Sequence, residues 1–264
     1  GDHAVTAMAV YTQTKENTNA VLPRAFLGYA ARATYAYKSK YLAEVNLGYN
    51  GSDQFDEGHR YDFFPSFALG YVLSNEGFMQ RSLPFITFMK LRDVVDALKI
   101  KGSYGVVGND KIGSDRFLYL QTYDKNGNYF FGKDNGFGGM PALSEGALGN
   151  TNVTWEIGKK TNIGIDLTFF DKLTLNADIF REDREKIFIS RNTTPQILGV
   201  GTAKENLGKI RNSGIELSLR GNVLQRKHTN LNLFLNLSHN RNRIVEISDY
   251  LKNKNAENEA NATS

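Results

Sequence analysis

Three acidic residues within four positions, Glu182, Asp183 and Glu185, have the type and spacing of a general acid and base pair. Arg181, Arg184 and Lys186 interleave with them, so each carboxylate has a cation beside it and the stretch reads as the solvated end of a strand. The four histidines, His3, His59, His228 and His239, fall in separate segments, with no spacing like that of a helical zinc pair or of a partner for a nucleophile. GKDNGFGGM at 132–140 is rich in glycine, yet no strand leads into it and no helix follows, as a phosphate cradle requires. LGKI at 207–210 offers Gly-Lys without the next Ser or Thr and begins a strand. The absence of cysteine removes disulfides, thiolate metal sites and thiol nucleophiles together. No catalytic, cofactor-binding or metal-binding residue is assigned, and no enzyme is expected.

The remaining chemistry is aromatic. A long connection at 108–154 carries Tyr119, Tyr123, Tyr129, Phe130, Phe131 and Phe137. Flat rings can stack on sugars, and exposed aromatic groups can also pack against another protein. Tyr119, Tyr123, Tyr129, Phe130 and Phe137 are the candidate contacts to a substrate or to a covering partner.

The elements that position these residues are strands. In WEIGKKTNIGIDLTFFDKLTLNADIFRED at 155–183 the apolar residues Ile163, Ile165, Leu167 and Phe169 take every second place, as do Leu173, Leu175, Ala177 and Ile179. Alternation predicts strands near 4–11, 24–37, 41–50, 61–73, 98–107, 155–169, 173–188, 207–219 and 229–247. Only LRDVVDALK at 91–99 has a helical look. Parity then predicts register, because residues paired across antiparallel strands share a face. Tyr37 opposite Tyr41 across three residues sets Tyr35 against Ala43 and Arg32 against Asn46, with Glu44 on the diagonal. Phe169 opposite Leu173 works in the same way, whereas a two-residue turn would set every apolar side chain against a polar one. Turns at 38–40, 170–172 and 220–228 are compact, while connections at 12–23, 51–60, 108–154 and 190–206 are long.

The expected fold class is therefore all-β, an antiparallel up-and-down transmembrane barrel segment with short turns on one rim and long loops on the other. Tyr35, Val45, Leu47, Ile163, Ile165, Leu167, Leu175, Ile179, Leu233 and Leu235 are predicted to face lipid. Arg32, Glu44, Asn46, Asn162, Asp166, Asn176, Asp178, Asn232 and Asn236 are predicted to face a wet or plugged lumen. Tyr35, Tyr37, Tyr41, Phe169 and Phe170 would form one interfacial girdle, and Tyr49, Phe63 and Phe64 the other. The competing reading is a soluble or surface-attached β-sheet module that binds glycans. No apolar run approaches the roughly 20 residues of a membrane-spanning helix. A formal charge of +4, with acidic residues among the basic ones, leaves a nucleic-acid partner without local support.

RATYAYKSKYLAEVNLGYNGSDQF, then HRYDFFPSFALGYVLSNEGFM, LKIKGSYGVVGND, LGNTNVTWEIGKKTNIGIDLTFFDKLTLNADIFRED, ENLGKIRNSGIEL and LFLNLSHNRNRIVEI follow one another in an order and spacing that resembles the barrel of SusC/RagA-type TonB-dependent transporters. Gly51, Ser52 and Asp53 stand where that family commonly has Asp-Gly-Ser, and Tyr71 stands where Trp is common. The resemblance implies a 22-stranded plugged barrel in the outer membrane of Bacteroidota. It would import glycans, oligosaccharides or peptides, with a SusD-like surface lipoprotein as lid and the TonB complex for energy. All of 1–264 would be a partial barrel domain of about nine strands, without the plug that meets TonB and without the final strands. Both ends read as cut from something longer.

Overall fold

The computed structural model describes residues 2–18, 21–80, 82–83, 86–90, 94–111, 116–130, 139–189, 199–201, 204–226 and 228–246. In chain order the strands are β1 His3–Thr18, β2 Val21–Tyr37, β3 Tyr41–Ser52, β4 Tyr61–Val72, β5 Ser82–Leu83, β6 Ile86–Lys90, β7 Val95–Asn109, β8 Tyr123–Phe130, β9 Gly139–Glu145, β10 Glu156–Phe169, β11 Leu173–Ile189, β12 Glu205–Arg226 and β13 Thr229–Glu246. Nine of them form one antiparallel sheet in the order β1-β2-β3-β4-β7-β10-β11-β12-β13, and β5-β6 and β8-β9 make two small hairpins beside it.

Both registers deduced from parity are present. Tyr37 pairs with Tyr41, Tyr35 with Ala43 and Arg32 with Asn46, and Phe169 pairs with Leu173. Each connection is closed by a two-residue turn of left-handed backbone plus one more residue. Lys38 and Ser39 have φ of 51° and 53°, and Phe170 and Asp171 have 52° and 49°. The Lys40 amide donates to the Tyr37 carbonyl at 2.9 Å, and the Lys172 amide to that of Phe169 at 3.0 Å. Positive φ at both central residues matches the right-handed twist of the flanking strands, which outweighs the cost of placing side chains there.

The register also sets the lean of the strands. The row through Tyr41 passes Tyr71, Ile100 and Ile165, four residues short of Phe169, where β10 reaches the turn rim. The rim thus slips four residues between β3 and β11, which are four strands apart in the sheet. At about 3.3 Å per residue and about 4.8 Å per strand, the strands tilt by about 35°, the lean required of a closing barrel.

Several expectations need correction. Residues 12–18 and 21–23, expected in a loop, extend β1 and β2, because a hairpin carried past an apolar belt can be polar on both faces and loses the alternation that marks a strand. Residues 95–99, expected in a helical turn, belong to β7; Leu91, Arg92 and Asp93 lie outside the described residues. Pairing of β12 with β13 continues to Arg226 opposite Thr229, so 220–226 is strand. The connection at 73–94 is long although it lies on the short-turn rim, and contains two 3-10 turns and the β5-β6 hairpin.

The buried core is small and lies at the long-loop end. Phe55, Phe64, Val153 and Trp155 pack together, with Phe26, Leu118 and Phe188 against them. Phe64, expected in an outer girdle, is buried here, its ring 5.3 Å from that of Trp155.

Candidate functional site

The functional features are the two faces of the large sheet and the rim that carries the long loops. Following one row of paired residues, Tyr35, Ala43, Leu69, Gly102, Ile163, Ile179, Ile215 and His239 share a face. Val45 and Leu47 lie on that face of β3, Ile165, Leu167 and Leu175 on that of β10 and β11, and Leu233 and Leu235 on that of β13. All ten residues expected on the apolar side therefore fall on one surface. Ile163 and Ile179 are each 60% exposed on it, so no second layer of the described residues covers them.

The opposite face collects the polar set. Arg32 and Asn46 align with Ser66. Glu44 shares a row with Ala68, Ser103 and Asn162. Asp166, Asn176, Ser218 and Asn236 follow on another, Asp178 faces Gly164, and Asn232 pairs with Asn222. The arginine of Arg32 donates to Glu44 at 2.7 Å, and Asn46 donates to Glu44 at 2.9 Å and to the Ser66 hydroxyl at 3.2 Å. Lys101 reaches Asp166 at 2.9 Å and Asp178 at 3.3 Å. These half-exposed pairs fix side chains in register more than they stabilise the sheet. Ala68, Gly70 and Leu42 interrupt the polar rows and leave an open hollow of ≈ 540 Å³ walled by Glu44, Lys101 and Asp178.

At the short-turn rim Tyr37, Tyr41 and Tyr71 stack in sequence, with Tyr41 and Tyr71 5.0 Å apart and nearly parallel. Lys40 bonds Glu76 at 3.0 Å, and the hydroxyls of Tyr71 and Tyr41 donate to the same carboxylate at 3.1 and 3.4 Å. The Lys40 bond, followed by those of the tyrosines, holds the Glu76 carboxyl below the usual glutamate range.

At the other rim, polar clamps that sequence reading did not single out tie the long loops to the strands. Asn206 mimics a peptide: its oxygen accepts the Thr154 amide at 3.0 Å, and its nitrogen donates to the carbonyls of Thr154 at 2.8 Å and Lys186 at 2.7 Å. Glu156 accepts from the Phe188 amide at 3.2 Å and from Asn109 at 2.9 Å. Asp110 receives Arg24 at 2.9 Å and the Ser52 hydroxyl at 2.8 Å, joining β2, β3 and β7. The Trp155 indole donates to the Arg60 carbonyl at 3.2 Å. Their signal in the sequence is weak, since each joins segments 20 or more residues apart. Beyond the clamps, Tyr123, Tyr129 and Phe130 are exposed on the β8-β9 hairpin and Tyr119 is half-buried near its base, so the structure gathers these four in one loop. Phe137 lies outside the described residues.

A family model described as TonB dependent receptor-like, beta-barrel matches residues 4–263. A TonB-dependent receptor of Formosa agariphila is 33% identical over 220 residues, covering 83% of this chain and 19% of that protein. The TonB-dependent receptor SusC of Bacteroides thetaiotaomicron is 27% identical over 242 residues, covering 89% of this chain and 22% of its own length. The chain thus spans about a fifth of the relatives it matches. Among solved structures, the RagAB peptide transporter superposes with a TM-score of 0.76 at 21% identity, over 94% of this chain and 29% of that one. A likeness at that identity speaks for the fold. The open antiparallel sheet with its leaning strands, the match along its length and the Bacteroidota relatives agree: the chain belongs to the TonB-dependent receptor-like β-barrel family, as a SusC-like segment of an outer-membrane barrel.

Proposed function

We propose that residues 1–264 are one partial barrel domain, the wall and outer loops of an importer whose plug lies elsewhere in the full-length protein. The apolar face, from Tyr35 and Val45 across Ile163 and Ile179 to Leu233 and Leu235, contacts outer-membrane lipid. The polar face, from Arg32 and Glu44 across Asp166 and Asp178 to Asn232 and Asn236, contacts the lumen and the plug. The observation that carries this reading is one predominantly apolar surface across the nine strands, backed by a mainly polar one. A nine-residue strand at this tilt rises about 25 Å, the height of the apolar band of an outer membrane.

The cargo is an oligosaccharide or a peptide, and the fold likeness to the RagAB peptide transporter supports the second. A SusD-like surface lipoprotein closes the long-loop side and the TonB complex supplies energy from the other. Tyr119, Tyr123, Tyr129 and Phe130 are proposed to contact the cargo or that lid. Nothing in the fold favours the soluble glycan-binding module, whose apolar face would stand in water.

Two measurements test this. In the full-length protein in bilayers, a bimane label at Ile165→Cys is quenched by brominated lipid tails and one at Asp166→Cys is not; equal quenching overturns the assigned faces. In cells, uptake of labelled oligosaccharides and peptides requires both the protein and TonB. Uptake that persists without TonB overturns the importer.

A further inference from the structure

Above the apolar belt, the same face of β10 to β13 turns basic. Beyond Ile163, Ile179 and Ile215, one row reads Thr161, Arg181, Ser213 and Arg241, and the next reads Lys159, Asp183, Arg211 and Arg243. No register shift separates these rows from the belt, so they point the same way as the isoleucines. Arg181 lies eight residues beyond Leu173, about 22 Å up a strand leaning 35°, and Asp183 about 27 Å. The charges therefore stand at the outer edge of the band. At the same rise on β3 and β4 the chain places Tyr49 and Phe63 instead, so the basic patch is local to one arc of the wall.

Its internal geometry points to an anion. Asp183 holds Arg181 at 2.7 Å and also binds Arg211, in both cases through Nε. Their Nη ends have no protein partner among the described residues. Arg243 sits directly opposite Arg211, a like-charged cross-strand pair that repels unless something negative lies between. Asp183 is the one anion beside four arginines in the two rows, since their fifth cation, Lys159, bonds Glu185 of the next row at 2.6 Å. Guanidinium forks match the oxygens of a phosphate two at a time, which a surface built only for solubility does not need.

We infer that Arg181, Arg211, Arg241 and Arg243 bind the phosphate of a phosphorylated lipid headgroup in the outer leaflet, anchoring this arc of the barrel at a set height. The inference rests on the proposed orientation of the apolar face toward lipid. Asp183 is the positioning residue, since it sets two of the forks side by side.

The test uses the full-length protein in phosphatidylcholine nanodiscs doped with fluorescent lipid A, either with its phosphates or after dephosphorylation. The expected result is that the protein enriches the phosphorylated lipid, that Arg211→Gln/Arg243→Gln weakens enrichment about tenfold, and that Arg211→Lys/Arg243→Lys recovers part of it. Lys160→Gln, which removes one charge on the opposite face, leaves enrichment unchanged. Equal enrichment of dephosphorylated lipid, an equal loss in Lys160→Gln, or displacement by millimolar inorganic phosphate overturns the lipid site. A bimane label at Ile163→Cys separates the two failures. Quenching by brominated tails with no effect of the arginine changes defeats this inference alone, and absent quenching defeats the orientation beneath it.

Discussion

Lys101 Nζ lies 2.9 Å from Asp166 Oδ1, a bond from β7 to β10 on the polar face, while the chain neighbour Ile165 pairs with Ile100 on the other side of the same sheet. Adjacent residues thus lie on opposite faces of one sheet. In the full-length barrel, Ile165→Arg is expected to cost about 2 to 4 kcal/mol, because the proposed orientation sets that charge in the apolar band. Asp166→Asn breaks a half-exposed pair and is expected to cost at most about 1 kcal/mol. Denaturant titration of folding into vesicles measures both, and equal costs would refute the face assignment.

Trp155 supports the long-loop rim through its contacts with Phe55 and Phe64 and its bond to Arg60. Trp155→Ala is expected to destabilise that rim by about 3 to 5 kcal/mol, and Trp155→Phe, which gives up mainly the bond, by about 1 kcal/mol. Limited proteolysis within 110–154 should follow that order.

Asn206 makes three hydrogen bonds that no other side chain at its position reproduces. Asn206→Asp keeps one acceptor and sets a carboxylate against two carbonyls, so it is expected to loosen the rim at least as much as Asn206→Ala, by about 1 to 3 kcal/mol. Hydrogen exchange at the Thr154 amide reads this directly, and protection equal to wild type would show the clamp to be idle.

Glu76 titrates below the usual glutamate range, first because of its bond to Lys40. A depressed folded-state pKa means that the carboxylate's contribution is complete above the unfolded glutamate value, about 4.3, and disappears as pH falls through the folded value. Protection of the 73–80 amides, taken relative to the intrinsic exchange rate at each pH, should therefore fall in acid below that value. Glu76→Gln should exchange faster at neutral pH and respond little to acid. An acid response that survives in Glu76→Gln would place its source elsewhere.

Legibility followed the range of the forces. Strands near 24–37, 41–50, 155–169 and 173–188 and both hairpin registers could be read, because a side-chain period of two and a burial contrast between faces are properties of neighbours. Residues 95–99 misled because LRDVVDALK spaces its apolar residues in a way that fits a helix, and the pairing that makes them strand comes from Leu98 opposite Leu167 and Ile100 opposite Ile165, far along the chain. Phe64 misled because it was grouped with its neighbour Phe63, although alternation turns the two to opposite faces; Phe64 points to the polar side, where Trp155 closes over it.

The amino-acid order alone determined that this chain is a run of two-faced antiparallel strands and which residues share each face, since alternation and turn parity act over a few positions. Only the folded sheet decided the lean of the strands, the core around Trp155, the Asn206 clamp and the cluster of arginines around Asp183. Each depends on pairings between segments far apart in the chain: a one-residue slip between β11 and β12, for example, would turn Arg211 to the face opposite Asp183.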